Sequence, residues 1–317
     1  MTARELPATH PAPGVGADAE ITIWEVGPRD GLQNESAVIP TATKATFVRR
    51  LLAAGLPVVE ATSFVHPRWV PQLADAADLL TVLAAPDALG DAARDLPVLV
   101  PNDRGLDRAL ELGCRRIAIF GSATETFAQR NLNRSHEEQF AMFAPTVERA
   151  RAAGMDVRGY VSMCFGDPWE GAVPVAQVVA TGVRLLELGC DQLSLGDTIG
   201  VGTPGHVRAL LAAFADAGVP VDRLALHVHD TYGQALANAY AALEAGVRTF
   251  DASAGGLGGC PYAESATGNL ATEDLVWMCE GLGVRTGVDL DALVATSTWM
   301  AGELGRPSAS RVVQARA

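Results

Sequence analysis

From residue 21 onward, apolar positions come in short β-rich runs separated by longer stretches of helical spacing. The runs are ITIWEV (21–26), PVVEATS (57–63), PVLVP (97–101), RIAIFG (116–121), DVRGYVSM (156–163), QLSLGD (192–197), LALHVHD (224–230) and VRTFDAS (247–253). Their length and β-branched content predict strands. Between them TATKATFVRRLLAAG, DRALELG, HEEQFAMFAPTVERARAAG, PVAQVVATGVRLLELG, PGHVRALLAAFADAG and GQALANAYAALEAG repeat apolar residues at helical intervals. Most of these end in glycine, as a helix C-terminus often does. The second connection, 67–95, is longer and less regular. Strands alternating with helices predict a parallel sheet with crossovers. Eight such units, with ATEDLVWMCEGLG as the last helix, predict an α/β fold: a closed (β/α)8 TIM barrel with additional C-terminal helices over 289–306. An open doubly wound sheet is disfavoured, because EVGPRDGLQNE after the first strand is not the glycine-rich dinucleotide turn. Residues 1–20, rich in Pro, Ala and Gly, predict a mobile tail, partly ordered near the barrel floor. Residues 21–317 predict a single domain that includes the helical extension.

Composition narrows the function. The chain has 317 residues, 49% hydrophobic and 19% charged, enough for one large core. A formal charge of −13 argues against nonspecific binding to nucleic acid or anionic membrane. An anionic ligand therefore needs local cations or a metal. The five cysteines are scattered, with no C-x-x-C pair, which fits a reducing cytosol. No apolar run approaches the ~20 residues of a membrane span. The start lacks a secretory core and is too acidic for a transit peptide, and the end carries no peroxisomal or prenylation signal. The expected location is cytoplasmic.

The candidate chemistry gathers at the strand ends, where barrel active sites form. In HVH, His227 and His229 lie two apart on a strand and so project from one face. Two imidazoles on one face are half of a metal site, although a bare pair is also compatible with hydrogen-bonded core histidines. Arg29, Asp30 and Gln33 follow the first strand. Glu60 and Ser63 lie on the second, Arg158 and Tyr160 on the fifth, and Ser194 and Asp197 on the sixth. Cys260 and Asn269 come after the eighth. Each has an ordinary alternative: Asp197 could cap a helix, Asp30 could make an Asx turn, and Cys260 could be a small buried hydrophobe. Their gathering at one rim points to an active site. An aspartate oxygen, two imidazole nitrogens and an amide oxygen suit Mg2+ or Mn2+, and no thiolate cluster favours structural zinc. Gly255, Gly256, Gly258 and Gly259 precede Cys260, so that loop can carry a thiol into a site, where it could donate or accept a proton.

The segments EVGPRDGLQNE, VVEATSFVHPRWVPQ, VRGYVSMCFGDPWEG, LSLGDTIGVGTPG, HVHDTYGQALAN and GGLGGCPYAESATGNLATEDLV closely resemble the 3-hydroxy-3-methylglutaryl-CoA lyase family of the DRE-TIM metallolyases. They span about residues 21–287. GPRDG with H-x-H marks the wider superfamily, and GLGGCPYA followed by TGNLATEDLV marks the lyases. The resemblance implies metal ligation by Asp30, His227, His229 and Asn269, with Arg29, Glu60, Asp197 and Cys260 catalytic. It implies cleavage of 3-hydroxy-3-methylglutaryl-CoA to acetyl-CoA and acetoacetate, as in leucine degradation, with Mg2+ or Mn2+ as cofactor. The base is Asp197 or His227. Arg29, Gln33, Ser63, Arg158, Tyr160 and Ser194 are candidate substrate contacts, and Arg130 and Asn131 in FAQRNLNRS are candidates for CoA. The implied assembly is a homodimer in a bacterial cytoplasm. CFGDPWEG departs from the family's usual GCPYEG at Asp167 and Trp169, in a loop expected near the substrate, where it would bear on acyl preference. Ser36 replaces a common lysine, and no cysteine lies near the C-terminus for thiol regulation. The alternatives are a lyase for a longer 3-hydroxy-3-alkylglutaryl-CoA such as the isohexenyl thioester, a condensing or aldol-type relative, and a barrel that binds acyl-CoA without turnover.

Overall fold

The computed structural model describes residues 9, 11, 12, 18–259 and 268–316. All eight predicted runs form strands there, one of them in two pieces. The strands are β1 (Thr22–Glu25), β2 (Val58–Val59), β3 (Thr62–Ser63), β4 (Val98–Leu99), β5 (Arg116–Ser122), β6 (Asp156–Ser162), β7 (Gln192–Asp197), β8 (Leu224–Val228) and β9 (Thr249–Ala252). Every pairing is parallel, in the order β2-β1-β9-β8-β7-β6-β5-β4-β3. The two ends of that order are the two halves of the single run 57–63. Between them the Glu60 N–H donates to the Glu25 carbonyl and the Ala61 N–H to the Pro97 carbonyl. One segment therefore joins both edges, and the sheet closes into a TIM barrel with no free edge.

The outer helices are α1 (Thr41–Ala53), α2 (Ala76–Leu83), α3 (Asp103–Glu111), α4 (Glu125–Leu132), α5 (His136–Ala152), α6 (Val175–Leu188), α7 (Pro204–Asp216), α8 (Ala235–Glu244) and α9 (Thr272–Leu282), followed by α10 (Leu290–Leu304) and α11 (Arg311–Arg316). Local signals set their ends. Ser135 and Glu138 form a capping box at the start of α5. Gly189 ends α6 at φ 116°, a conformation that disfavours side chains. The irregular connection 67–95 holds α2 between two 3-10 turns, Pro71–Leu73 and Gly90–Asp95. Neither α4 nor α11 was predicted. Only Phe127 and Ala128 are buried in α4, so no apolar stripe announces it.

Between sheet and helices sits an apolar layer that includes Phe47, Phe143, Phe214 and Phe250. The barrel interior is different: it buries Glu60, Arg158, Ser194 and Asp251. Residues 1–8, 10 and 13–17 of the expected tail lie outside the described residues. Ala12 N–H donates to the Gly281 carbonyl, and Ile21 N–H to that of Arg285. These ties hold the start of the chain against the end of α9, at the end of the barrel opposite the strand C-termini. Among the described residues no helix is long and apolar enough to cross a membrane.

Glu25 closes β1 with a fully buried carboxylate that accepts from the N–H groups of Gly27 (2.8 Å) and Ala254 (2.9 Å) and from the Thr272 hydroxyl (2.6 Å). Burial outweighs these bonds and pushes its pKa up to about 7 from 4.5. A carboxyl that holds its proton more tightly when folded stabilises the fold below its unfolded pKa. That contribution is lost as pH rises through the folded pKa. For Glu25 the span from 4.5 to about 7 corresponds to about 3 kcal/mol. Glu25→Gln, which mimics the protonated form, should therefore flatten the fall in Tm between about pH 5 and 7.5. A variant whose Tm falls as steeply as the parent's would contradict this assignment.

Candidate active site

After β1 the chain makes a π-helical turn, Gly27–Gly31, in which the Val26 carbonyl accepts from Arg29, Asp30 and Gly31 N–H groups (3.1, 2.7 and 3.1 Å). Glycine is needed at both ends. A Cβ on Gly27 would meet Glu25 Oε1 at 2.6 Å, and one on Gly31 would meet Leu257 Cβ at 2.8 Å. Such irregular turns recur at functional sites, and this one brings Arg29 and Asp30 to the C-terminal mouth of the barrel.

Arg29 is 5% exposed and donates from Nε to Glu60 Oε1 and from Nη1 to Asp30 Oδ1, both at 2.5 Å. Glu60 Oε2 also accepts from Trp24 Nε1 (2.8 Å) and the Tyr160 hydroxyl (2.5 Å). Burial works against the guanidinium's charge, but Glu60 and Asp30 together outweigh it and raise its pKa further. Burial likewise opposes ionisation of Asp30. Arg29, then His227 and His229, reverse that effect and hold the carboxyl at about 2.

His227 and His229 extend from the end of β8. Their Nε2 atoms lie 3.2 Å apart, and ligand atoms of Asp30, His227 and His229 all fall within 4.8 Å of one another. Asn269 joins them by donating Nδ2 to Asp30 Oδ2 (2.9 Å) and to the Leu257 carbonyl (3.0 Å). Three features fit this cluster to a divalent cation. Asn269 Oδ1 is buried without a hydrogen-bond partner, and a turn of the Asn269 amide would exchange its nitrogen for an oxygen ligand. Burial, then His227, lowers His229 to about 4 against the pull of Asp30, so the imidazole is neutral as a ligand must be. The buried charges of Arg29, Arg158, Asp30, Glu60 and Asp251 leave an excess of one negative charge, which favours a bound cation.

Asp251 is a neighbour of the cluster that the motifs did not reveal. Its Oδ1 accepts from Arg158 Nη2 (2.7 Å), and its Oδ2 accepts from the Ser194 hydroxyl (2.7 Å) and faces His227 Nδ1 at 3.2 Å. A carboxylate on Nδ1–H fixes the tautomer that turns the Nε2 lone pair toward the cluster. The available signal was a carboxylate alternating with Phe250 and Ala252 in a buried strand, because such a charge needs an interior partner.

A cavity of about 730 Å³ opens over these groups. Arg29, Asp30 and Gln33 line it, as do Asn131, Tyr160, His227 and His229. Three residues expected among the substrate contacts do not line it. Ser63 bonds the Leu99 carbonyl (3.3 Å), and Ser194 and Arg158 are bound to Asp251. Their side chains are engaged inside the barrel wall, with Arg158 Nε left buried and without a partner. Glu60 is fully buried behind Arg29. Asp197 is also outside the lining, although its neighbours Gly196 and Thr198 are in it. Its carboxylate accepts from Val201 N–H (3.0 Å) and Gly202 N–H (2.9 Å). Burial still raises its pKa to about 6 against those two bonds. Arg130 stacks over the Trp169 ring at 4.4 Å and is not in the lining. Asp167 accepts from the Thr124 hydroxyl and the Trp169 and Glu170 N–H groups (2.7, 2.7 and 2.9 Å). The departures at Asp167 and Trp169 thus build a loop outside the cavity wall. Cys260 lies outside the described residues.

The family model described as HMGL-like matches residues 20–300. The chain belongs to the HMGL-like family. Its relatives include the mitochondrial hydroxymethylglutaryl-CoA lyase of Rattus norvegicus, 50% identical over 93% of this chain and 89% of that protein. The solved hydroxymethylglutaryl-CoA lyase of Pseudomonas aeruginosa is 45% identical, with a TM-score of 0.89 over 95% of this chain and 98% of that one. An HMG-CoA lyase from Acinetobacter baumannii, solved with coenzyme A and 3-methylmalate, is 35% identical with a TM-score of 0.86, covering 93% and 94%. The family match over residues 20–300 covers the whole barrel, including every strand that supplies the cluster.

Proposed function

We propose that this protein is a divalent-metal-dependent carbon–carbon lyase that splits 3-hydroxy-3-methylglutaryl-CoA into acetyl-CoA and acetoacetate. The observation that carries this reading is the cluster of Asp30, His227, His229 and Asn269 beside a buried Arg29, in the cavity of a chain 50% identical to a lyase of that name. The donors are hard oxygens and imidazole nitrogens, which suits Mg2+ or Mn2+. When bound, the ion acidifies the substrate's tertiary hydroxyl and orients its oxygens.

The chain's own residues supply the rest. The proton of the C3 hydroxyl passes to Asp197 or His227; His227 lines the cavity, and Asp197 adjoins its lining residues Gly196 and Thr198. The C2–C3 bond then breaks, its electron pair passing into the thioester as the enolate of acetyl-CoA while the C3 carbonyl of acetoacetate forms. Arg29 stabilises the enolate oxygen with the N–H groups that Glu60 and Asp30 leave free. Cys260 returns a proton to the acetyl carbon. Glu60 holds Arg29, and Asp251 holds His227. Acyl-CoA is the expected partner, in keeping with the coenzyme A complex of the A. baumannii relative. A homodimer in a bacterial cytoplasm completes the proposal. The described cysteines are free and buried, as suits a reducing compartment.

The test is acetoacetate release from chelator-treated protein before and after Mg2+ or Mn2+ is restored. It is run on the methyl and isohexenyl thioesters, with Cys260→Ser beside the parent. Metal-dependent release, fastest on the methyl substrate, is expected, and the variant should lose most turnover while still binding metal. No release with metal shown to be bound would favour a non-catalytic acyl-CoA binder. Unchanged turnover in the variant would remove the thiol from the mechanism.

A further inference from the structure

Lys44, on α1, is 1% exposed, and its ammonium lies outside the cluster described above. Burying an ammonium is costly, and a well-packed apolar side chain often serves stability as well, so its contacts bear on what the charge does. Nζ donates to the Gln72 carbonyl and to Asp75 Oδ1 (2.6 Å), while Asp75 Oδ2 accepts from the Thr41 hydroxyl (2.6 Å). The segment held in this way is a wall of the cavity: Val65, His66, Trp69, Val70, Pro71 and Gln72 all line it. Trp69 is 72% exposed there, a large apolar surface left open at the mouth. Gln72 in turn donates from Nε2 to the Glu35 carbonyl (2.6 Å), which ties this wall to the neighbouring stretch carrying Gln33 and Asn34. The Glu35 carboxylate is itself paired with Arg306.

We propose that Lys44 is a positioning residue for the thioester. Resting on the acyl-CoA reading above, it sets the height of the 65–72 wall, and through Gln72 the width of the cavity, without touching substrate. Lys44 and Asp75 act as one unit. Losing the ammonium frees the Gln72 carbonyl and the carboxylate together, and the wall then closes on the ligand only at an ordering cost. That cost falls on binding and not on the bond-breaking step, so KM and kcat should separate.

The experiment compares Lys44→Met, Lys44→Arg and Asp75→Asn by steady-state kinetics and by tryptic cleavage after the exposed Arg68. For Lys44→Met the expected result is a KM raised about tenfold with kcat within about twofold of the parent. Cleavage after Arg68 should be about tenfold faster, because opening governs it. Lys44→Arg should recover part of both. Asp75→Asn keeps a neutral isostere for Thr41 and should raise KM several-fold, so it carries the test if Lys44→Met does not fold. A KM unchanged in the folded variants, or a fall in Tm with KM and cleavage rate at parental values, would overturn the proposal. Should the parent turn over no thioester, the proposed activity fails independently of this inference. The dissociation constant for coenzyme A, measured by calorimetry, then replaces KM with the same expected ratios.

Discussion

Arg29→Gln should lower kcat by about 10³-fold, about 4 kcal/mol of transition-state stabilisation, with KM changed far less. The guanidinium is 5% exposed and is held by two carboxylates, so it needs no reorganisation when negative charge develops on the thioester oxygen. A preorganised donor in a partly dry site is worth more than one in water. Glutamine keeps a donor at about the same depth but removes the charge. Glu60 keeps its bonds from Trp24 and Tyr160 in the variant, so the pocket should survive. Asp30 loses its strongest cationic neighbour and stays available to a metal. The measurement is steady-state kinetics with saturating Mn2+, beside a metal-binding titration. A kcat within tenfold of the parent would mean that the enolate is stabilised elsewhere.

The second large effect concerns the proton of the C3 hydroxyl. The sequence left Asp197 and His227 as candidate bases, and the structure separates their circumstances. Both His227 nitrogens are engaged, Nδ1 with Asp251 and Nε2 with the cluster around His229. Asp197 spends one lone pair of each oxygen on a backbone amide, which leaves acceptor capacity on both. Burial raises its pKa to about 6, close to a working pH. The base form is the ionised one, so kcat should rise with pH through about 6 and level off above it. Asp197→Asn should lower kcat by about 10²–10⁴-fold and abolish that rising limb. An Asn variant that keeps the limb would move the base to His227 or to a bound water.

Most of the barrel was legible because its signals are local. Strand runs of five to eight residues and glycine stops report their own geometry, and H-x-H at a strand end places two imidazoles on one face. The closure at 57–63 was hidden, because one apolar run reads alike whether it pairs as one strand or as two. What the sequence did not yield is pairing across distance. Arg158 and Ser194 read as substrate contacts because polar residues near strand ends face the mouth as often as the interior. Their partner, Asp251, lies 93 and 57 residues away, and only the closed barrel brings the three together. Lys44 was unremarkable in TATKATF for the same reason: its acceptors come from a connection with no regular period. Asp197 carried both readings in the sequence, a cap and a base, and in the structure it accepts loop amides while remaining perturbed toward base chemistry.

The central claim is that four side chains from three distant segments hold one ion. A crystal grown with Mn2+ and measured at the manganese absorption edge tests it directly. The account predicts a single strong anomalous peak per chain, roughly 2.0–2.3 Å from Asp30, His227 Nε2, His229 Nε2 and Asn269 Oδ1. A peak elsewhere, or none at saturating metal, would contradict it.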